Sequence, residues 1–136
     1  STKSLVTRIL IPAAGPGEGS GYARLEQRKA LALPMVCVAA FLGIRDGMVE
    51  RCRIAMAPVG VGPVRAIEAE RFLIGKAAEK EVFSEAGRLA LKNANPRDSL
   101  IRGSKRYREE VLPVMVERAL SEALSDAEGR EKEVEQ

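Results

Sequence analysis

The chain has 136 residues, which suits one domain with its own hydrophobic core, and it carries 22 Lys and Arg against 19 Asp and Glu. It has no histidine, which removes the commonest general base and metal ligand, and its two cysteines are too few for a disulfide scaffold or a Cys-only metal site. The longest apolar run, residues 30–44, is shorter than the roughly 20 residues of a membrane span, and the N-terminus lacks a signal-peptide pattern, so a cytoplasmic chain with no membrane partner is expected.

The first part of the chain predicts two strands separated by a link. Residues 5–11 are β-branched and apolar and end at Pro12, which predicts a short strand. Residues 12–21 are rich in Gly and Pro and predict a flexible link. A dinucleotide-binding loop is a poor fit, because Ser20 stands where the third glycine is required and no helix start follows. Residues 22–28 alternate in polarity like a strand.

A β-hairpin is predicted next. Residues 36–44 and 48–56 are apolar, strand-like runs, and Asp46-Gly47 lies between them. This dipeptide favours a type I′ turn, which needs positive φ at both central positions. With this turn, the numbers of paired residues sum to 93.

The predicted register gives each cysteine a neighbour across the hairpin. Cys52 is expected opposite Phe41, and Cys37 opposite Met56. The two cysteines are offset by four residues, roughly 13 Å at strand rise, which is too far for a disulfide. We expect both to be buried small hydrophobic residues.

Three helices are predicted in the second half. The segments are residues 64–74 with Gly75 as the stop, residues 78–92, and residues 104–127, where Pro113 is expected to kink the helix or shift its start. Strands followed by helices predict an α+β fold: an antiparallel sheet of three to four strands packed on a three-helix bundle.

Charge is distributed unevenly along the chain. Residues 126–136 hold five acidic and two basic residues, so this tail is expected to be frayed or disordered. Residues 1–125 hold 20 basic and 14 acidic residues, and we take them as the folded domain. Their excess of positive charge favours an acidic or phosphate-bearing partner.

No residue pattern points to catalysis. Without histidine, a nucleophilic serine needs Lys or a carboxylate as its base, and no motif indicates such a pair. Neighbouring acids such as Glu68 and Glu70 lie two apart on a predicted helix and do not share a face. No metal site and no catalytic residue are assigned, and the chain is expected to bind or assemble.

A basic cluster opens the last helix. Gly103-Ser104 fits an N-cap, and the free N–H groups and dipole of a helix start attract anions. Four alternatives remain: a capped helix with a solvated basic face, an internal carboxylate contact, a docking surface for another subunit, and a nucleic-acid arm. The last is disfavoured because aromatic residues are not interleaved with the charges. The cations of the cluster are Arg102, Lys105, Arg106 and Arg108.

Three ordered blocks give the chain a family resemblance. They are YARLEQRKALALPMVCVAAFL (residues 22–42), RIAMAPVGVGPVRAIEAERFLIG (53–75) and DSLIRGSKRYREEVLPVMVERAL (98–120). Together they resemble the C-terminal domain of the FAD-binding medium subunit of molybdenum hydroxylases, the family of carbon monoxide dehydrogenase, xanthine dehydrogenase and bacterial aldehyde oxidoreductases. Residues 5–11 look like the strand that leaves the preceding flavin domain. The resemblance covers about residues 5–124.

The resemblance implies a cofactor and partners. In such enzymes a molybdenum large subunit oxidises the substrate, and electrons pass through an iron–sulfur small subunit to FAD and then to an acceptor. The main FAD-binding segments lie in an N-terminal domain that this sequence does not contain. The resemblance therefore implies an oxidoreductase domain that supports the flavin site and subunit docking and is not catalytic alone.

It also implies roles for individual residues. Tyr22, Arg24 and Arg28 match the block nearest the flavin, where arginine would supply fixed positive charge. A basic edge strand that resists aggregation is the alternative. The expected docking residues are Arg102, Ser104, Tyr107 and Arg108.

Two further functional hypotheses stay open. One is a stand-alone interaction module with the same fold and no flavin. The other, a nucleic-acid-binding domain, predicts affinity that falls steeply with salt and is the least favoured.

Overall fold

Four antiparallel strands form one sheet with the order β1-β2-β3-β4 in the computed structural model, which describes residues 4–28 and 32–134. The strands are β1 (Glu18–Glu26), β2 (Pro34–Arg45), β3 (Met48–Ala57) and β4 (Val64–Arg65). The helices are α1 (Ile67–Leu73), α2 (Lys80–Ala90), which continues into a 3₁₀ turn at Leu91–Asn93, and α3 (Lys105–Val134). The predicted α+β fold is confirmed.

The hydrophobic core lies between one face of the sheet and the helices. Alternate residues of β2, among them Val38 and Leu42, are fully buried, as expected for a strand with one covered face. They belong to the same core cluster as Phe83 of α2 and Leu120 of α3. The apolar residues on one face of α3 are buried except for Leu124, which is half-buried; the buried ones are Leu112, Met115, Val116, Ala119, Leu120 and Ala123. The other face of the sheet has no helix on it among the described residues.

Two glycines allow α3 to lie directly on β1. A Cβ atom on Gly21 would come within 2.6 Å of the Ala123 backbone nitrogen, and one on Gly19 within 3.0 Å of the Ala127 Cα. The predicted flexible link is therefore wrong from Glu18 onward, where the strand begins. These glycines serve close backbone approach rather than flexibility.

The outer edge of β1 is covered by carboxylates of α3. The Ser20 N–H donates to Asp126 at 2.9 Å, and the Tyr22 N–H donates to Glu122 at 3.0 Å. The bond from Ser20, and then that from Arg130, lower the pKa of Asp126. Such contacts satisfy an edge that could otherwise pair with another strand.

The last helix is longer than the sequence predicts. It continues from Ala127 to Val134, so most of the acidic tail is helical and not disordered. Ala127 is buried, and Asp126 accepts the Ser20 N–H of β1 at 2.9 Å, so the start of this segment is tied to the domain. Residues 135 and 136 of the predicted tail lie outside the described residues.

Residues 5–11 do not form the predicted strand. They have no regular secondary structure, their apolar side chains are exposed, and they pair with no strand among the described residues. β-propensity measures fit to a half-buried pleated surface, and this segment has no such surface beside it here.

The hairpin turn is confirmed, but its predicted register is wrong by one residue beyond a bulge. Asp46 and Gly47 both have positive φ, 51° and 72°. A bulge opposite Ile44 adds one residue to β3, so Cys52 pairs with Leu42 instead of Phe41, and Cys37 pairs with Ala57 instead of Met56. The extra residue keeps Val49 and Cys52, three apart in sequence, on the same buried face.

Both cysteines are free thiols, as predicted. Cys52 is fully buried in the core. Cys37 is only half-buried, because its side chain lies on the open face of the sheet.

An ion pair between the buried Glu70 and the exposed Arg65 joins α1 to the sheet. Glu70 accepts the Ile54 N–H of β3 at 2.8 Å and pairs with Arg65, whose Nε lies 2.6 Å from Glu70 Oε1.

The predicted helix over residues 64–74 is shorter than expected, because Val64 and Arg65 pair with β3 as a fourth strand. No described helix is long and apolar enough to cross a membrane.

Candidate functional site

Tyr22 and Arg24 lie on the open face of the sheet. Along β1, Gly21 faces α3, while Tyr22 and Arg24 are exposed on the opposite side. Across the ladder they stand opposite Ala39 and Cys37 of β2. Because residues directly opposite each other share a face, these small neighbours leave the surface beside the tyrosine and the arginine flat.

Contacts on the sheet hold both side chains in place. Arg24 Nε lies 2.8 Å from a Glu26 carboxylate oxygen, and Arg24 Nη2 donates to the Ala32 carbonyl at 2.6 Å. Partial burial raises the pKa of Tyr22, and a hydrogen bond with the Cys37 thiol raises it further. The phenol therefore remains protonated at neutral pH and can act as a hydrogen-bond donor.

Arg28 lies just beyond the end of the same strand. It is exposed and lines a cleft of about 200 Å³ together with Gln27, Ala32, Leu33 and Ile101. Ala32 is also the residue that binds Arg24, so the three predicted flavin-facing residues lie at one end of the sheet. Ile101 comes from the loop before α3, so the predicted flavin-facing residues and docking residues are neighbours.

The predicted N-cap is confirmed. The Ser104 hydroxyl accepts the Tyr107 N–H at 3.1 Å, three residues into the helix. Asp98 adds a second acceptor, because its carboxylate binds the Lys105 N–H at 2.8 Å. The preceding Gly103 has φ of +81°, a conformation that L side chains rarely adopt.

The basic cluster at this helix start divides into two parts. Arg106 pairs with Glu110 at 2.8 Å, and Lys105 with Glu109 at 3.7 Å, on the exposed surface of their own helix. Such exposed pairs contribute little to stability. Arg102 and Arg108 instead line a cleft between the loop before α3 and the loop that follows β3.

Arg108 is buried, with 4% of its surface exposed. Its Nη1 donates to the Pro58 carbonyl at 2.7 Å, which joins α3 to the loop after β3. Tyr107, one residue earlier, is exposed. Of the four predicted docking residues, Ser104 holds the helix start, Arg102 and Arg108 line the cleft, and Tyr107 remains accessible beside it.

Sequence reasoning missed two participants in this cleft. Arg97 lines it as a third arginine, and the Pro58 carbonyl fixes Arg108. The segment around Arg97 carries a readable signal, since Pro96 rules out a helix there and leaves the arginine in a loop. The Pro58 carbonyl leaves no signal, because a backbone acceptor 50 residues away has no side-chain signature. No group of three potential metal-ligating side chains lies together in the described residues.

The described fold is an antiparallel sheet with one open face, which is backed by three helices and carries Tyr22 and Arg24 at one end. Residues 22–123 match the family profile of the CO dehydrogenase flavoprotein C-terminal domain. The chain belongs to this family.

Individual relatives agree with the family match. The chain is 31% identical over 123 residues to the carbon monoxide dehydrogenase medium chain of Afipia carboxidovorans, covering 90% of this chain and 42% of that protein. It is 26% identical to the alpha subunit of the 6-hydroxypseudooxynicotine dehydrogenase complex of Paenarthrobacter nicotinovorans, with 90% and 41% covered. In structure it resembles carbon monoxide dehydrogenase from Hydrogenophaga pseudoflava, with a TM-score of 0.79, 31% identity, and 85% and 40% covered. The chain thus spans about two fifths of these relatives.

Proposed function

We propose that this chain is the C-terminal part of an FAD-binding oxidoreductase subunit of a molybdenum hydroxylase in the cytoplasm. In the complete enzyme, electrons pass from iron–sulfur clusters to FAD and then to an acceptor. The observation that carries the proposal is the family match over residues 22–123, supported by relatives that are subunits of dehydrogenases. The domain is not catalytic alone, since its sequence offers no nucleophile–base pair.

The residues on the open sheet face fit a flavin. A flavin ring is flat, accepts hydrogen bonds along one edge, and carries negative charge in its anionic reduced form. Tyr22 offers a protonated phenol and Arg24 a guanidinium, and both are exposed on a flat part of the sheet. Ala39 and Cys37 stand opposite them on β2. Arg28 adds a second guanidinium at the same end.

When bound, FAD supplies the redox chemistry, and this chain supplies charge and hydrogen-bond donors beside it. Arg24 is held by Glu26 and the Ala32 carbonyl, so its charge has a fixed position. A positive charge placed in advance stabilises an anion without reorganisation. The proposed role of Arg24 and Arg28 is therefore to favour reduction of the flavin.

The first test replaces both arginines in the complete flavin-binding subunit. An Arg24→Gln/Arg28→Gln variant is expected to lower the flavin reduction potential by roughly 30 mV, which corresponds to about 1.4 kcal/mol for a two-electron couple. Arg71→Gln/Arg88→Gln is the matched control, because it removes two exposed arginines from helix surfaces. An unchanged potential in the first variant would contradict the flavin-facing role.

The second part of the proposal concerns assembly. The proposed partners are the N-terminal FAD-binding domain, the iron–sulfur small subunit and the molybdenum large subunit, with docking through Arg102, Ser104, Tyr107 and Arg108. The cleft beside Ser104 and the exposed Tyr107 support this role. Subunit assembly is expected to weaken in a Ser104→Ala/Arg108→Ala variant, measured by gel filtration of the complex. Retained assembly would count against these residues as docking contacts.

The absorption spectrum of the native protein distinguishes this proposal from a stand-alone interaction module. Flavin and iron–sulfur bands, with larger chains that co-purify, are expected. A colourless protein that purifies alone would favour the interaction module.

A further inference from the structure

The cleft between the loop after β3 and the start of α3 holds an excess of positive charge. It has a volume of about 290 Å³ and contains Arg97, Arg102 and Arg108 against a single carboxylate, that of Asp98. Asp98 is engaged elsewhere, because it accepts the Lys105 N–H at the helix start. The three guanidinium groups therefore lack an acidic counterpart inside the cleft.

These arginines differ from the ion-paired cations of the domain. Nine other Lys or Arg side chains form ion pairs within 4 Å of a carboxylate, but Arg97, Arg102 and Arg108 form none with the residues that the structure describes. Arg97 and Arg102 lie in the loop before α3, which is held by hydrogen bonds. The Ser99 hydroxyl accepts the Arg102 N–H at 3.1 Å, and the Ser99 N–H donates to the Gly103 carbonyl at 3.2 Å.

Two buried donors in the cleft have no acceptor. The Nε atoms of Arg102 and Arg108 are both inaccessible and make no hydrogen bond to any described residue. Only 4% of the Arg108 surface is exposed, and its Nη1 donates a hydrogen bond to the Pro58 carbonyl. Buried charged donors are normally satisfied, so their lack of a partner indicates an acceptor other than the residues that the structure describes. Guanidinium forks match the planar oxygens of a carboxylate.

The rim of the cleft is apolar. Val61 lines the cleft and is almost fully exposed, and Leu100 lines the adjoining recess and is fully exposed. Ile101 next to it is also exposed. A free inorganic anion gains nothing from such side chains, whereas a polypeptide buries them around a central arginine, as in the energetic centre of many protein interfaces.

We propose that this cleft binds the carboxylate of an acidic segment from a partner polypeptide, with Arg102 and Arg108 as the carboxylate-binding residues, Arg97 as supporting charge, and Val61 and Leu100 as the apolar rim. This inference deepens the docking part of the proposed function and rests on it. It specifies the chemistry of the partner: an exposed Asp or Glu flanked by apolar side chains.

The test is a titration of the full chain, labelled with ¹⁵N and observed at the arginine Nε–H signals. The probes are the blocked peptides Gly-Leu-Glu-Glu-Leu-Gly and Gly-Leu-Gln-Gln-Leu-Gly, and inorganic phosphate. The acidic peptide is expected to shift the Nε–H signals of Arg102 and Arg108 saturably, with at least tenfold higher affinity than the amide peptide. Phosphate binding without peptide binding would overturn the proposal in favour of a free anion, and no response to any probe would also overturn it.

Two variants connect the response to the cleft. Arg102→Gln keeps the buried Arg108 and is expected to reduce affinity for the acidic peptide at least tenfold. Arg118→Gln removes an exposed arginine further along α3 and is expected to leave affinity within twofold. Equal losses in both variants would mean nonspecific charge attraction and would overturn the proposal. The titration contains no flavin, so its failure is distinguishable from failure of the flavin-facing role.

Discussion

Glu70 is an acidic side chain in the core, and its surroundings explain why it remains charged. Burial raises the pKa of Glu70, but the hydrogen bonds from Arg65 and the Ile54 N–H outweigh burial and hold the pKa below its ordinary value. The carboxylate thereby joins α1, β3 and β4 at one point. Because the folded-state pKa is depressed, the stabilisation is present above the ordinary pKa of about 4.3 and is lost as the pH falls through the lower, folded value.

A Glu70→Gln variant is expected to lose about 2 kcal/mol of unfolding free energy at pH 7, because the charge-assisted bonds to Arg65 and Ile54 are weakened. Urea denaturation at pH 7 and pH 3 measures the loss, and the gap between variant and wild type should narrow at pH 3. Glu68→Gln is the matched control, since the Glu68 side chain forms an exposed pair with Arg71 at 3.6 Å and the substitution leaves its backbone unchanged. A gap of equal size at both pH values would contradict the assigned titration.

The candidate site was only partly predictable from single residues. Ser104 could be identified as a cap because its hydroxyl acts within one helical turn, and the structure confirms this. The division of the basic cluster has a partial sequence signal, since Glu110 lies four residues after Arg106, whereas no acid stands at that spacing after Arg108. Their difference arises because Arg108 reaches the Pro58 carbonyl, a tertiary contact between distant loops. The roles of Tyr22, Arg24 and Arg28 remain predictions.

Among the strands and helices, the errors also follow from tertiary contacts. The turn at Asp46-Gly47 could be predicted from local chemistry, but the bulge at β3 depends on both Val49 and Cys52 facing the core. The start of β1 was missed because glycines usually indicate a loop. Only the position of α3 shows that Gly19 and Gly21 leave room for its backbone.

The contact between β1 and α3 gives a direct test of this packing. Gly21→Ala is expected to destabilise the domain by about 2 kcal/mol, because the added methyl group meets backbone atoms that cannot rotate away. Gly129→Ala in α3 is the control, because a Cβ there meets nothing within 4 Å, and it should gain up to about 1 kcal/mol from helix propensity. Thermal melting of both variants provides the comparison, and an unchanged melting temperature for Gly21→Ala would contradict the close approach.

The molecule as a whole is asymmetric, with one covered and one open sheet face, and its two thiols report on the two sides. Cys52 belongs to the core, and burial, followed by the nearby Glu70 carboxylate, raises the pKa of its thiol to about 12. Cys37 lies half-buried on the open face. Alkylating reagents react with the thiolate, so Cys52 is protected twice, by its pKa and by the core around it.

Native protein treated with iodoacetamide at pH 8 is therefore expected to take up one label, at Cys37. The second label, at Cys52, should appear only in denaturant or at the rate of global unfolding. Mass spectrometry after timed quenching distinguishes the two events, and Cys37→Ser should abolish the fast label. Rapid double labelling of native protein would show that the core opens without unfolding.

The cover over the β1 edge has a consequence for how the chain reaches its native state. Ser20 and Tyr22 are bound by carboxylates that lie 106 and 100 residues later in the chain. During synthesis, the first hairpin can form early, but its outer strand stays unprotected until the ribosome has released almost the whole of α3. Contacts of such high sequence separation slow folding, and the exposed edge offers a pairing surface to other nascent chains in the interval. Expression in cells should therefore depend on chaperones that hold β-rich intermediates until translation ends.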